Sequence, residues 1–346
     1  MSEALLETKL EQISGETLAK IAREEGLTLP IEQTEHWDRF DRVYDRENFG
    51  KYAFYVDNRC AALMSFTVFE LRGVRFLWAK RGPVWLRRQS PDIERTLRKA
   101  LIAETRKRDK TIVFIRLHAR YSSKDTYDLV QSVPYDHTVK MKTMGGQWDQ
   151  IMGELTASAR KRFRRAIRKM RATPAARTVD LTQCTQAKFK EVYDVLVETA
   201  NRDGFGVHPP HVYWNMLRTL GSKHARLYGI EIEGRVAAWT LVVMNGDCAW
   251  AYYGAHSAAA RKISAAEYLD LWIGHQLGKE GYVTFDLMGV DSMRVPELFT
   301  VGQYKRRFAR HETEVDGAWE VPVNTPVYLA LRAAARAKRA LVSIRN

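Results

Sequence analysis

The chain has 346 residues, 45% hydrophobic and 11% aromatic, which is long for one core, ample for two, and excludes a disordered polypeptide. Its net charge of +14 calls for an anionic partner: nucleic acid, an acidic membrane surface or a phosphorylated substrate. Cys60, Cys184 and Cys248 are scattered and build no disulfide framework or metal cluster. The opening residues lack a basic segment followed by an apolar core, and no stretch approaches about 18 apolar residues. The expected location is therefore the cytoplasm, with any membrane contact peripheral at the inner face of the plasma membrane.

Taken in order, the first half of the chain is echoed by the second without obvious identity. Ala53–Phe66 reads as strand, tight polar turn, strand, and Leu227–Thr240 reads the same way, with Arg59 and Arg235 at matching places. Each copy passes through a second glycine turn, Gly73 or Gly246, into an aromatic strand (Val74–Ala79 and Ala249–Tyr253) that ends at Gly82 or Gly254. A loop, a helix and a buried strand follow. The helices are expected over 91–107 and 264–280, the strands over 111–117 and 283–288. This repetition predicts two like domains with a cleft between them.

Between the halves lies Arg160-Lys-Arg-Phe-Arg-Arg-Ala-Ile-Arg-Lys-Met-Arg, with no acidic residue. Ala159, Phe163, Ala166, Ile167 and Met170 fall at helical spacing, so the segment is an amphipathic helix with one buried stripe and a broad cationic face. Ser158 is expected near its N-cap, and Thr173-Pro174 ends it. A merely solvated helix mixes charge signs to gain i,i+4 pairs. This one forgoes them, which points to an anion such as a polyphosphate backbone or anionic head groups.

The succession of strand, glycine, loop and helix is similar to that of acyltransferases of the GNAT fold. There the loop before the helix holds the pyrophosphate of an acyl-CoA through glycine-rich backbone. Here those loops read Arg87-Arg-Gln-Ser-Pro-Asp and Arg261-Lys-Ile-Ser-Ala-Ala. Ser264 stands where a glycine would sit and Pro91 removes a donor, so the acyl donor is expected to be something other than acyl-CoA.

Several segments in this order resemble the FemABX family: Ile31-Glu-Gln-Thr-Glu-His-Trp, Lys80-Arg-Gly-Pro-Val, Arg202-Asp-Gly-Phe, Tyr252-Tyr-Gly-Ala, Phe285-Asp-Leu-Met-Gly-Val-Asp and Gly302-Gln-Tyr-Lys-Arg-Arg-Phe. The similarity covers nearly the whole chain and matches the compact type, without a heptad arm. It implies an α/β (α+β) fold of two tandem GNAT-like (acyl-CoA N-acyltransferase-like) domains, expected at 1–147 plus 318–346 and at 148–317. It also implies aminoacyl transfer from charged tRNA to the stem-peptide amine of a peptidoglycan precursor, lipid-linked or UDP-linked. Aminoacyl-tRNA serves as co-substrate and no further cofactor is expected.

By the same resemblance Lys305 is the catalytic cation that stabilises charge at the reacting carbonyl; otherwise it is a surface lysine in a basic run. Arg202 would contact a substrate phosphate; otherwise it is a helix-end arginine bonding carbonyls. Tyr252 and Tyr253 belong to the substrate site, and by alternation only one of them faces it. A family tyrosine is replaced by Gly206, and His208 stands ready to compensate. The basic helix offers Arg160, Lys161, Arg164, Arg165, Arg168 and Lys169 to tRNA. Asp286 and Asp291 read first as loop-capping carboxylates and only second as a general base. His208-Pro-Pro-His211 has no partner at ligand spacing, so no metal is expected. Two rival readings are an acyl-CoA-dependent GNAT enzyme and a non-catalytic RNA- or membrane-binding protein.

Overall fold

The computed structural model describes residues 7–71, 73–130 and 134–345, with side chains to residue 337; the opening residues 1–6, read above for a leader, lie outside it. In chain order the strands are β1 (Thr8–Ile13), β2 (Asn48–Val56), β3 (Arg59–Leu71), β4 (Val74–Trp78), β5 (Val84–Trp85), β6 (Ile112–Ala119), β7 (His137–Lys142), β8 (Ala176–Asp180), β9 (Ala225–Ile232), β10 (Arg235–Asn245), β11 (Cys248–His256), β12 (Thr284–Val290), β13 (Thr313–Glu314) and β14 (Gly317–Pro322). The helices are α1 (Gly15–Glu24), α2 (Glu35–Arg42), α3 (Pro91–Arg108), α4 (Trp148–Gly153), α5 (Ala157–Arg171), α6 (Gln186–Asp203), α7 (Pro210–His224), α8 (Ala258–Lys262), α9 (Ala265–Lys279), α10 (Phe299–Lys305) and α11 (Thr325–Arg345). Contacts divide the chain into one unit of residues 1–136 with 315–346 and a second of 137–314.

The first unit is a sheet in the order β1-β2-β3-β4-β6-β14, with β5 on β3. Its β2–β3 hairpin closes through Asp57 and Asn58, both at positive φ, with Val56 opposite Arg59. Two left-handed residues match the twist of the flanking strands, which is why a polar pair sits there. Helix α3 crosses from β4 to a parallel β6, burying Leu97 and Leu101 against Phe54, Phe66 and Ile115. Strand β14 returns from the end of the chain to pair with β6, Trp319 opposite Leu117, so β6 has a partner on both sides.

The second sheet runs β13-β7-β12-β11-β10-β9-β8. Its β9–β10 hairpin repeats the tight turn at Glu233-Gly234, both at positive φ. The boundaries expected at 147/148 and 317/318 lie instead at 136/137 and 314/315. Strand β7 pairs with β12, Met141 opposite Phe285, and its Val139 and Met141 are fully buried in the second core, while β13 adds to the outer side of β7. Helix α5 buries Ala159, Phe163, Ala166 and Met170 as the spacing predicted. Its N-cap is Thr156 and not Ser158: the Thr156 hydroxyl accepts from the Ala159 amide, and only Thr156 has the extended backbone a cap needs.

Candidate functional site

The second unit opens where β11 and β12 part. They pair in parallel only from Cys248–Thr284 to Trp250–Asp286. Beyond that point both strands bulge. Against β10, the register of β11 slips between Ala251 and Tyr253, so Tyr252 is the extra residue; against β7, the register of β12 slips between Asp286 and Gly289. The buried Asp286 carboxylate holds the second bulge. It accepts the Met288 amide at 2.7 Å and the Thr138 hydroxyl, while Met288 sits at φ 67°. A capping role is thus filled, as the residue type suggested.

The bulge overturns two expectations. A bulge breaks the two-residue period, so Tyr252 and Tyr253 do not divide into one exposed and one core residue. Both are half-buried, with ring centroids 5.5 Å apart, and Tyr253 packs edge-on against Tyr213 at 4.8 Å. Nor does Gly254 end the strand, which runs on to His256.

Lys305 stands on the β12 side, at the end of α10. A Cβ at Gly302 would lie 2.0 Å from Asp291 Oδ1, so only glycine lets α10 pack this closely. Arg306 then clamps Asp291 at 2.5 Å. The Lys305 ammonium donates to Gly289 O at 2.8 Å, in the bulged stretch of β12. The residue is half-buried overall, yet its ammonium is desolvated, and this lowers its pKa to about 8 against the raising influence of Asp286 and Asp270. Asp270, on α9, is buried and its pKa is raised by desolvation, although it accepts the Tyr304 hydroxyl at 2.6 Å and the Thr240 hydroxyl at 2.8 Å. Burial, then the Asp270 charge, pushes Tyr304 well above the usual phenol range. Glu267, also on α9, takes Arg162 at 2.7 Å and Arg307 at 3.4 Å. A fixed cation at a partly dry gap suits a developing oxyanion. Sequence reasoning missed Asp270, Thr240 and Tyr304. The available signal was a carboxylate within the otherwise apolar Tyr268-Leu-Asp-Leu-Trp-Ile273 run, since such burial demands partners.

The remaining predicted residues gather along the β11 side. Arg202, in the last turn of α6, chelates its neighbour Asp203 through two bonds of 2.8 Å and donates to His256 O at 2.9 Å. Bonding a carbonyl at a helix end is the second of the two roles foreseen for it. Desolvation, then the Arg202 charge, lowers the His256 pKa. His208 is exposed, its amide donating to Tyr213 Oη at 3.1 Å and its ring 6.2 Å from that of Tyr213, which thereby joins His208 to Tyr253.

On α5, Arg160 and Lys169 bond backbone carbonyls, of Leu155 and Lys262, each at 2.7 Å. Lys161, Arg164, Arg165 and Arg168 are exposed, and among the described residues no carboxylate pairs with them. The helix abuts the site, with the Phe163 and Phe308 rings 4.8 Å apart and Arg162 on Glu267. Ser264, at the loop position where a glycine would sit, adopts φ 58° and makes no side-chain cap to α9. Among the described residues no His, Cys, Asp and Glu side chains group as a metal site, and no helix is long and apolar enough to cross a membrane.

Residues 157–306 match the family model for an acetyltransferase (GNAT) domain. No curated protein matches the sequence. Among solved structures the chain is similar to FemX, at 12% identity over 94% of this chain and 100% of that one, with a TM-score of 0.68. It is also similar to L-PGS from Bacillus licheniformis (12% identity, 94% and 97% covered, TM-score 0.51) and to a tandem GNAT protein from the clavulanic acid biosynthesis pathway (10%, 92% and 99%, 0.52). The chain therefore has a FemABX-like fold of two GNAT-like units.

Proposed function

We propose that the protein is an aminoacyltransferase that moves an amino acid from charged tRNA to the side-chain amine at the third stem position of a peptidoglycan precursor, forming or extending an interpeptide bridge. The observation that carries this reading is the desolvated Lys305 ammonium fixed on Gly289 O at the parting of β11 and β12. The attacking amine must be neutral, and the aminoacyl ester is already activated, so no protein nucleophile is required. Positioning brings the amine onto the ester carbonyl, Lys305 offsets the charge that develops on its oxygen, and collapse completes the amide as the ester C–O bond breaks and the tRNA ribose hydroxyl leaves with the proton given up by the amine. The likeness to FemX and the unpaired cations of α5 support a tRNA donor over acyl-CoA, as does a serine in place of glycine at 264. Arg202 is assigned to a substrate phosphate and Tyr252, Tyr253 and His208 to the acceptor peptide. The setting proposed is the cytoplasm, at the inner face of the plasma membrane.

Reconstitution with a mixed charged-tRNA pool and both lipid-linked and UDP-linked precursors, read by mass spectrometry, tests this. Bridge-extended product supports it, and its absence with both acceptors rejects it. The GNAT domain match favours a second reading, acyl transfer from acyl-CoA. Thermal stabilisation by coenzyme A would move the assignment there.

A further inference from the structure

The first unit carries a cleft of about 320 Å³ where the segment joining β5 to α3 meets the residues just past β6. Trp85, Arg87, Arg88 and Gln89 line it from the one, Arg120 and Tyr121 from the other, and Asp316 comes in just ahead of β14. All of them belong to residues 1–136 and 315–346, and none enters the chemistry assigned to Lys305.

The walls are fixed from both sides. Glu94 of α3 is buried, accepts the amides of Arg120 and Tyr121 at 3.0 and 3.1 Å, and is met by the buried Arg98 at 3.5 Å. Trp85 pairs through β5 with Ala62 of β3 and packs on the first core. The charges that line the cleft do not cancel. Glu25 holds Arg87 at 2.6 Å, while Asp316 accepts Gln89 Nε2 at 2.6 Å and has Arg120 at 3.6 Å. Arg88 is exposed, and among the described residues no carboxylate pairs with it. Three guanidiniums against two carboxylates suit an anion, and the planar fork of arginine matches phosphate oxygens.

Two more atoms are left over. The Trp85 indole N–H and the Gln89 amide oxygen are buried with no hydrogen-bond partner among the described residues. Such a donor and such an acceptor are costly to leave unmet. An occupant whose edge carries both an acceptor and a donor relieves both, as a nucleobase does, and the half-buried Tyr121 offers a ring to its face.

We propose that this cleft is a nucleoside phosphate site: Arg88 and Arg120 take the phosphate, Tyr121 stacks on the base, and Trp85 and Gln89 meet the base edge. A free or substrate-linked nucleotide and an unstacked nucleotide of an RNA strand present the same chemistry, and the test tells them apart. It reads binding alone, so its outcome does not depend on the aminoacyl-transfer reading.

The full chain is titrated with N-methylanthraniloyl-ADP by fluorescence anisotropy, and ADP, UDP, inorganic pyrophosphate and uncharged tRNA are added as competitors. The probe should saturate, ADP or UDP should displace it, and pyrophosphate should compete at least about tenfold more weakly, since stacking on the base is absent. Arg88→Glu, at an exposed position, and Tyr121→Ala should each weaken the probe about tenfold or more. A probe that tRNA leaves in place assigns the site to a free or substrate-linked nucleotide. Displacement by tRNA, with a matching loss of tRNA affinity in Arg88→Glu, assigns it to an RNA nucleotide. No saturable binding, equal competition by pyrophosphate and the nucleotides, or binding that neither variant weakens overturns the proposal.

Discussion

The two units contain the same parallel strand pair and use it differently. In the first, β4 and β6 stay joined past their last ladder pair, Trp78–Arg116: Ala79 N donates to Arg116 O at 2.9 Å and His118 N to Gly82 O at 2.7 Å. Behind that seam the space is filled. Lys80 lies 4.9–5.1 Å from the rings of Trp37, Phe69 and Trp78, and Arg116 meets the fully buried Glu320 at 2.6 Å. In the second unit, pairing stops at Trp250–Asp286, both strands bulge, and a lysine is set at the opening. One copy of the architecture is closed at this seam and the other is opened, and the difference is made by local register and not by topology.

The contrast can be broken most forcefully from the closed side. Glu320→Ala strands the buried Arg116 guanidinium from its carboxylate and removes the acceptor of the Tyr328 hydroxyl, so chemical denaturation should show a loss of about 3–5 kcal/mol. Turnover per folded molecule should be nearly unchanged; a large loss would mean that the first unit takes part in the chemistry. Next in size, Lys305→Ala should lower kcat about 10²-fold or more with the melting transition retained. Lys305→Arg should restore part of it, because a planar fork presents its charge differently. Wild-type turnover in both variants removes Lys305 from the mechanism.

Charge reversal at Lys161, Arg164 and Arg165 should weaken charged and uncharged tRNA alike and flatten the dependence of affinity on salt by about 0.9 per lost phosphate contact. Retention of tRNA binding with loss of binding to anionic vesicles would assign α5 to lipid instead. The smallest change is expected at Arg202→Ala, a rise of several-fold in KM for the precursor that exceeds the change for tRNA. Equal changes for both would leave Arg202 with only the His256 carbonyl and Asp203.

The hairpins and α5 could be read from residues because their signals are local: period-two alternation around a polar pair, and an apolar stripe at helical spacing. The bulges could not. Tyr252 and Met288 become irregular only through the register of the strands beside them, and no feature of Tyr252-Tyr-Gly or Leu287-Met-Gly encodes that register on its own. Strand β7 escaped notice for a related reason. Its six residues count as a strand only once β12 lies alongside to bury Val139 and Met141. Lys305 was found through a family resemblance, whereas Asp270 and Thr240, distant in sequence and joined across α9 and β10, were brought together by tertiary packing alone.

Strand β14 has a consequence for how the protein is made. Emerging from the ribosome, residues 1–136 contain every strand of their sheet except that one, so the free side of β6 must wait while the whole of 137–314 is synthesised. The second unit is contiguous and can form while the chain is still growing. The nascent amino-terminal half therefore carries an unsatisfied strand edge, open to a chaperone or to mispairing, until β14 has emerged.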